Sequence, residues 1–197
     1  MGMKKDTEGP KNGTEGRVQV YTGNGKGKTT AALGTALRAV GHGLRVCVVQ
    51  FLKKGWESGE RSAAKRLAPE LEIRAFGAAQ WGDRSKASAG APWWELPPSE
   101  EDRSQAREAM EFARSAVAGG KWDIVVVDEV FGALARGLIS LDDVLGLIRT
   151  RPARVELILT GREAPPEVVE AADLVTEMAE VKHPFRRGVK ARKGIEY

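Results

Sequence analysis

The chain has 197 residues, 42% of them hydrophobic and 29% charged, and a formal net charge of +4. This length suits one domain with a buried core, and the composition excludes a chain that is disordered throughout. The single cysteine, Cys47, excludes an intrachain disulfide and a zinc ribbon, and no apolar run is long enough to span a membrane. We therefore expect a soluble, cytoplasmic protein.

The first half of the chain predicts strands that alternate with one clear helix. Residues 1–16 are polar and indicate a flexible leader, whereas residues 17–197 indicate a single α/β domain. Residues 17–21 alternate as a strand does, and residues 29–41 carry apolar side chains at helical spacing after a glycine-rich turn. The apolar positions of this helix are Ala31, Leu33, Ala36, Leu37 and Val40.

The next segments predict two further strands and a long loop. Residues 44–51 are continuously apolar, which is typical of a parallel strand buried on both faces, and residues 71–76 form a third strand. Residues 77–98 contain no clear element, and a loop of that length in a compact domain is usually functional or disordered. This loop carries three tryptophans: Trp81, Trp93 and Trp94.

The second half completes the alternation. Ser99 caps a helix with acidic residues in its first turn, which ends at Gly119 and Gly120, and Ser140 caps another. A short helix opened by prolines follows near residue 165. The predicted strands here are residues 122–130, 154–161 and 173–178. Alternating strands and helices predict a mainly parallel sheet of about six strands flanked by helices.

The segment TGNGKGKTT, Thr22–Thr30, is the strongest functional signal. It matches the P-loop at Gly27, Lys28 and Thr29, with Thr22 where the first glycine usually stands. Glycines let backbone N–H groups point inward around a polyanion, and the following helix adds its dipole. We expect Lys28 to place its charge on the phosphates and Thr29 to ligate magnesium.

Two further strand ends are predicted to complete this site. Asp128 and Glu129 end an apolar strand, at the edge where open parallel sheets bind ligands, and one of them should hold magnesium directly or through water. Because an acid after the aspartate is also common in hydrolytic enzymes, Glu129 does not separate an ATPase from a transferase. Arg162, after the fifth strand, either contacts phosphate or is an ordinary surface arginine.

The basic charge is concentrated near the C-terminus. Residues 182–193 contain no acidic residue, and without their six basic residues the chain would have a net charge of −2, since 4 − 6 = −2. These six are Lys182, Arg186, Arg187, Lys190, Arg192 and Lys193. The segment is a solvated tail, a phosphate contact or a nucleic-acid arm.

The motifs together resemble a known family. TGNGKGKTTAALGTALRAVGHG, VVQFLKKG, VVVDEV, LTGREAP, ADLVTEM and VKHPFRRGVKARKGIEY follow the order seen in the P-loop ATP:corrinoid adenosyltransferases, which act on cob(I)alamin or cob(I)yrinic acid a,c-diamide. The resemblance covers about Arg17–Tyr197. It implies a RecA-like sheet, a homodimer, ATP with Mg²⁺, a corrinoid substrate and a place in adenosylcobalamin biosynthesis or salvage.

The resemblance also implies a reaction and a set of roles. Co(I) of the corrinoid attacks the 5′ carbon of ATP, and the triphosphate leaves as one group. Lys28, Thr29 and Glu129 are implied as catalytic residues, and Thr29, Asp128 and Glu129 as the metal site. The implied ATP-binding residues are Thr22, Gly23, Asn24, Gly25, Lys26, Gly27, Lys28, Thr29, Thr30, Arg38 and Arg162. Since the sequence has no flavin or iron–sulfur motif, an external donor such as a flavoprotein must supply electrons, and we expect neither membrane nor nucleic acid as a partner.

The tryptophan loop and the N-terminus depart from the family pattern. Pro92 stands where many relatives have the phenylalanine of an F-x-W motif, and residues 1–16 are too short and polar for the helical lid of many relatives. Trp93 and Trp94 are implied as corrinoid-binding residues, which would displace the lower axial ligand of cobalt. The alternative is that they only anchor the loop.

Two other functions compete with adenosyl transfer. An ordinary P-loop ATPase or kinase would use Lys28, Thr29, Asp128 and Glu129 equally well. A nucleic-acid-binding module would use the basic tail, although that tail lacks interleaved aromatic residues.

Overall fold

The computed structural model describes residues 15–53, 58–78 and 97–195. Six strands form one sheet in which every pairing is parallel, in the order β3-β2-β4-β5-β1-β6. The strands are β1 (Val18–Thr22), β2 (Val46–Gln50), β3 (Leu71–Ala75), β4 (Ile124–Asp128), β5 (Glu156–Thr160) and β6 (Leu174–Glu177). The predicted parallel sheet of about six strands is confirmed.

Helices cover both faces of this sheet. They are α1 (Lys28–Gly41), α2 (Gly59–Arg66), α3 (Glu100–Ala118), α4 (Val130–Ala135), α5 (Leu141–Thr150) and α6 (Pro166–Ala171), and a 3₁₀ turn spans Pro184–Arg187. Ser99 and Ser140 each accept a hydrogen bond from the backbone of the third helical residue, so the predicted caps of α3 and α5 are present. None of the helices within the described ranges combines the length and apolar character needed to cross a membrane.

The central strands explain why the core lies on both sides of the sheet. Successive side chains of a strand point to opposite faces, so Val125 and Val127 pack with α3 and α5 on one side. Val126 packs on the other side, with the alanines of α1. Every residue of β2 and of β4 is buried, which accounts for the continuous apolar run that predicted these strands. The edge strand β6, in contrast, is exposed along its length.

The structure corrects the predicted buried face of α1. Leu37 was expected to face the core but is 60% exposed, whereas the buried stripe consists of Ala32, Ala36 and Ala39 together with Lys28. The small alanine side chains let the helix backbone lie close to the sheet, so the larger side chains are displaced to its flanks. Helical spacing alone does not show which of these two faces of the helix is buried.

Two helices have no counterpart among the predicted elements. Helix α2 is mostly polar, and its sequence GERSAAKR buries only Ala64, so it lacks a wide apolar stripe. Helix α4 follows β4 after one residue, and its apolar sequence continues the strand pattern, so the predicted strand extended to Val130. Local hydrophobic patterns mark neither helix.

Candidate active site

The strand order gathers the predicted site residues at one edge of the sheet. β4, β5 and β1 are neighbours, and all point the same way, so their carboxyl ends carry Asp128, Thr160 and the phosphate loop side by side. β2 lies on the other side of β4, and therefore brings Lys53 to the same place. The segments after these four strands form the candidate site.

The phosphate loop, residues 22–27, closes around the ammonium group of Lys28. Lys28 is buried, and its Nζ donates hydrogen bonds to the carbonyl oxygens of Gly23 at 2.6 Å and Gly25 at 2.9 Å. Gly23 and Gly27 have φ values of 92° and 124°, which residues other than glycine rarely adopt. The glycine spacing therefore serves the loop conformation, and the loop fixes the lysine at its centre.

The first turn of α1 is open to an anion. Gly27 provides no side-chain cap and no acidic residue lies in the first turn, whereas α3 and α5 have both a capping box and acidic first turns. The N-terminal N–H groups and the helix dipole are therefore not compensated by a carboxylate. This arrangement favours phosphate binding at the start of α1, as the sequence predicts.

Asp128 lies at the centre of a buried hydrogen-bond network. Its Oδ1 accepts hydrogen bonds from the hydroxyls of Thr29 at 2.8 Å and Thr160 at 2.7 Å. Its Oδ2 accepts from Lys53 Nζ at 2.7 Å and Gln50 Nε2 at 3.3 Å. With four protein donors on a fully buried carboxylate, Asp128 is placed to orient other groups rather than to take a ligand directly.

This network fixes the direction of the Thr29 hydroxyl. Because its proton is donated to Asp128, the oxygen lone pairs of Thr29 point away from the carboxylate and are available to a cation. Thr160 in turn accepts a hydrogen bond from the backbone N–H of Glu129 at 3.0 Å, which ties the end of β5 to the turn after β4. Asp128 therefore organises Thr29 directly and Glu129 through Thr160.

The charges of the network shift the pKa values of its members. Burial acts to raise the pKa of Asp128, but the charge and hydrogen bond of Lys53, with the two threonine hydroxyls, lower it below its ordinary value. Burial raises the pKa of Glu129, and the nearby Asp128 charge raises it further. Burial also lowers the pKa of Lys28, partly offset by the charge of Glu129. The two adjacent acids thus differ in character: Asp128 is held ionised, whereas ionised Glu129 is poorly compensated by the protein.

Three strained residues surround this edge. Leu52, Glu129 and Glu163 are the non-glycine residues with positive φ among those that the structure describes, with values of 59°, 59° and 54°. Leu52 lies between β2 and Lys53, Glu129 directly follows β4, and Glu163 lies after β5 next to Arg162. Backbone strain of this kind concentrates at functional sites, because the surrounding structure must enforce it.

The segment after β6 forms the outer wall of the phosphate loop. Gly25 donates its backbone N–H to Met178 at 2.6 Å, and Met178 donates to Thr22 at 2.8 Å. A Cβ atom at Gly23 or Gly25 would lie 2.6 or 2.7 Å from the Met178 carbonyl oxygen. At the tip of the loop, Lys26 Nζ donates to the carbonyl of Ile195 at 3.3 Å. These contacts join the C-terminal segment to the loop.

Sequence reasoning missed the roles of three members of the network. Gln50 and Lys53 were not predicted as site residues, although they lie in the quoted motif VVQFLKKG. Thr160 begins the segment TGR, which was expected at the site edge, but only Arg162 of that segment was given a role. The usable signal was position: each lies at or just after the carboxyl end of a strand, as Asp128 does. Gln50 is fully buried, and no group among the described residues donates to its Oε1 atom, which leaves a buried acceptor beside Asp128.

The two predicted arginines occupy different places. Arg162 follows β5, and its charge acts on both Lys28 and Glu129, so it lies at the site edge. Arg38 is in the last turn of α1, ten residues from Lys28, which corresponds to roughly 15 Å along the helix axis. The structure does not bring Arg38 to the loop. Trp93 and Trp94 lie outside the described residues.

Comparisons with known proteins identify the family of this chain. The family model for ATP:corrinoid adenosyltransferase BtuR/CobO/CobP matches residues 14–197. The chain belongs to the ATP:corrinoid adenosyltransferase family. The corrinoid adenosyltransferase of Escherichia coli K12 is 39% identical over 182 residues, which cover 92% of this chain and 86% of the relative. That of Pseudomonas aeruginosa is also 39% identical, over 92% of this chain and 84% of its own length.

The same comparisons bear on fold and activity. This member of the adenosyltransferase family is a transferase of ATP and corrinoid substrates, as the sequence resemblance predicted. Among solved structures, the KaiC-like protein PH0186 from Pyrococcus horikoshii OT3 matches with a TM-score of 0.51 at 16% identity, over 84% of this chain and 73% of that one. At that identity the likeness concerns the fold alone, and it supports the RecA-like prediction.

The raised pKa of Glu129 leads to a stability prediction for this adenosyltransferase site. The raised pKa of Glu129 means that its ionised form is less favourable in the folded protein than in the unfolded chain. The free energy of unfolding therefore falls as pH rises through the folded-state pKa of Glu129, and this loss is present near neutral pH. We expect Glu129→Gln to stabilise the ligand-free, metal-free protein at pH 7 by about 0.5–2 kcal/mol while lowering transfer activity. Urea unfolding at pH 7 measures the first effect. An equal or lower stability of the variant would contradict this explanation.

Proposed function

We propose that this protein transfers the 5′-deoxyadenosyl group of ATP to Co(I) of a corrinoid and releases tripolyphosphate, in adenosylcobalamin biosynthesis or salvage. The observation that carries the proposal is the pairing of a buried Lys28 ammonium with the Thr29 hydroxyl, whose proton is donated to Asp128. Both groups lie at the open start of α1. Family membership supports the choice of this reaction over phosphate hydrolysis.

The residues present fit a magnesium ion. Mg²⁺ prefers hard oxygen ligands and is usually held by one or two protein groups together with phosphates and water. The Thr29 hydroxyl oxygen and the poorly compensated Glu129 carboxylate supply such ligands. Bound there, the ion would neutralise charge on the leaving triphosphate. Asp128 would act from the second sphere, through Thr29.

Each protein group then has a defined task in the transfer. As the bond between cobalt and the 5′ carbon forms, the bond from that carbon to its oxygen breaks, and the electron pair leaves with the triphosphate. Lys28 and the N–H groups at the start of α1 stabilise this developing charge, and Arg162 adds a second cation at the edge. The protein supplies no nucleophile, because the reduced cobalt of the substrate supplies the electrons.

The remaining assignments extend the proposal beyond the phosphate loop. We assign Thr22, Asn24, Lys26 and Thr30 to ATP binding; Arg38, roughly 15 Å along α1 from Lys28, is left out of this set. Trp93 and Trp94 are assigned to the corrinoid. We also propose a cytoplasmic homodimer that receives electrons from an external donor such as a flavoprotein, with residues 17–197 acting as one domain. The hydrogen bond from Lys26 to Ile195 supports the inclusion of the C-terminal segment in that domain.

The phosphate product distinguishes this reaction from ordinary hydrolysis. With ATP, magnesium and chemically reduced corrinoid, we expect tripolyphosphate to appear in step with adenosylated corrinoid. Phosphorus NMR of the mixture resolves tripolyphosphate from orthophosphate, and visible absorbance follows the corrinoid. A reaction without corrinoid is the control, and it should release little phosphate. Orthophosphate as the main product in both mixtures would overturn the proposal in favour of an ATPase.

A further inference from the structure

Lys53 forms an ion pair that the transfer mechanism above does not use. Its Nζ lies 2.7 Å from Asp128 Oδ2, and its side chain is 29% exposed while that of Asp128 is fully buried. The approach is fixed by the backbone, since the N–H of Lys53 donates to the Phe76 carbonyl at 3.0 Å and the preceding residue, Leu52, has a φ of 59°. A strained turn therefore places the Lys53 ammonium group beside the buried Asp128 carboxylate.

We propose that Lys53 is a positioning residue for adenosyl transfer, which acts through Asp128 on the hydroxyl of Thr29. This inference rests on the proposed role of Thr29 in holding magnesium and the triphosphate. The two oxygens of Asp128 have different partners. Oδ2 accepts hydrogen bonds from Lys53 and Gln50, whereas Oδ1 accepts them from Thr29 and Thr160. Held in this way, the carboxylate keeps one orientation and accepts the Thr29 proton.

Loss of Lys53 would release this constraint. Asp128 would keep Gln50, at 3.3 Å, as the partner of Oδ2, and a buried carboxylate without a counter-ion is strongly disfavoured. Rotation of Asp128 would then let the Thr29 hydroxyl turn its proton elsewhere. The lone pairs of Thr29 would no longer point consistently towards the ligand.

A direct attraction of Lys53 for phosphate is the competing explanation, and the geometry disfavours it. The ammonium group is already paired with a carboxylate at hydrogen-bond distance, so the pair as a whole has no net charge. Its field at the triphosphate is therefore much weaker than that of Lys28, whose hydrogen-bond partners among the described residues are the neutral carbonyl oxygens of Gly23 and Gly25.

A double-mutant cycle separates these explanations, because Lys53 and Thr29 are connected through Asp128. Lys53→Met removes the ammonium group, and Thr29→Val removes the hydroxyl at nearly constant volume. We measure kcat/KM for transfer and, independently of turnover, the Kd of ATP with magnesium. Lys53→Met alone should reduce kcat/KM by about 10- to 100-fold, as typical for partners of ligating groups, and raise the Kd. In the Thr29→Val background it should change either quantity by less than about two-fold.

Two further variants complete the experiment. Lys53→Arg should recover most of the lost activity, because it restores a cation beside Asp128. Lys121→Met is the matched control: it removes an exposed ion pair with Glu72 just before β4, and it should leave kcat/KM and Kd unchanged. If Lys53→Met does not fold, Lys53→Gln replaces it, since it retains a donor without the charge. Lys53→Gln should lower kcat/KM less than Lys53→Met does, and this loss should again disappear in the Thr29→Val background.

The outcomes are distinguishable. An undiminished loss from Lys53→Met in the Thr29→Val background would overturn the inference and indicate direct attraction or a purely structural role. Near-wild-type activity of Lys53→Met, or no recovery by Lys53→Arg, would also overturn it. If Thr29→Val by itself changed neither quantity, the proposed role of Thr29 would fail, and the inference with it.

Discussion

Replacement of Lys28 by alanine should reduce adenosyl transfer by about 10²- to 10³-fold, as the loss of one fixed oxyanion-stabilising donor typically does. The ammonium group is buried at the centre of the phosphate loop, held by the Gly23 and Gly25 carbonyls, and we expect its charge to stabilise the leaving triphosphate. Initial rates with chemically reduced corrinoid, ATP and magnesium provide the measurement. A thermal unfolding curve should accompany them, to establish that the variant is folded.

Lys26→Ala is the matched control for this prediction. Lys26 belongs to the same loop, but it is exposed, and its Nζ donates to the Ile195 carbonyl. Its removal should weaken the contact with the C-terminal segment and affect transfer much less than the removal of Lys28. A Lys28→Ala rate within a few-fold of wild type, or a larger loss for Lys26→Ala, would contradict the assignment.

Gly23→Ala should destabilise the protein by about 3 kcal/mol or more, since a left-handed conformation and a steric overlap both oppose it. Gly23 has a φ of 92°, and a Cβ atom there would lie 2.6 Å from the carbonyl oxygen and 2.8 Å from the amide nitrogen of Met178. These are backbone atoms of the segment after β6, which pairs with β1 and has little freedom to move. Urea unfolding of the ligand-free protein measures the loss.

Gly34→Ala provides the control for the glycine prediction. Gly34 lies inside α1, and a Cβ atom there would have no atom of the described residues within 4 Å, apart from the backbone of the helix itself. Alanine should therefore stabilise the helix, by up to about 1 kcal/mol. If both substitutions changed stability equally, the contact between Gly23 and Met178 would not be the cause.

The sequence predicted those parts of the site that depend on local patterns. The phosphate loop, Asp128 and Glu129 each belong to a short motif between a strand and a helix, and the strand order then brings the motifs together. The places of Lys53 and Gln50 and the role of Thr160 could not be predicted in the same way, because they depend on which strands are neighbours. No local signal states that β2 and β5 flank β4.

The same reason explains the errors in the helices. Amphipathic spacing located α1 but placed Leu37 in the core, because the close packing of alanines against the sheet is a property of the assembled layers. The capped helices α3 and α5 were predicted well, since a capping box is formed by residues three positions apart. Features fixed within one turn were predictable, whereas features fixed by contacts across the sheet were not.

The wall that Met178 forms around the phosphate loop has a consequence for the order of events during synthesis. The loop follows β1 in the chain, but among the described residues the strands that pair with β1 are β5 and β6, which are translated more than 130 residues later. At ordinary rates the ribosome needs roughly 8–30 seconds to proceed from Thr22 to Met178. Until Thr160 is translated the glycine-rich segment lacks β5, and until Met178 is translated it also lacks its outer wall, so the nascent chain cannot complete its nucleotide pocket earlier.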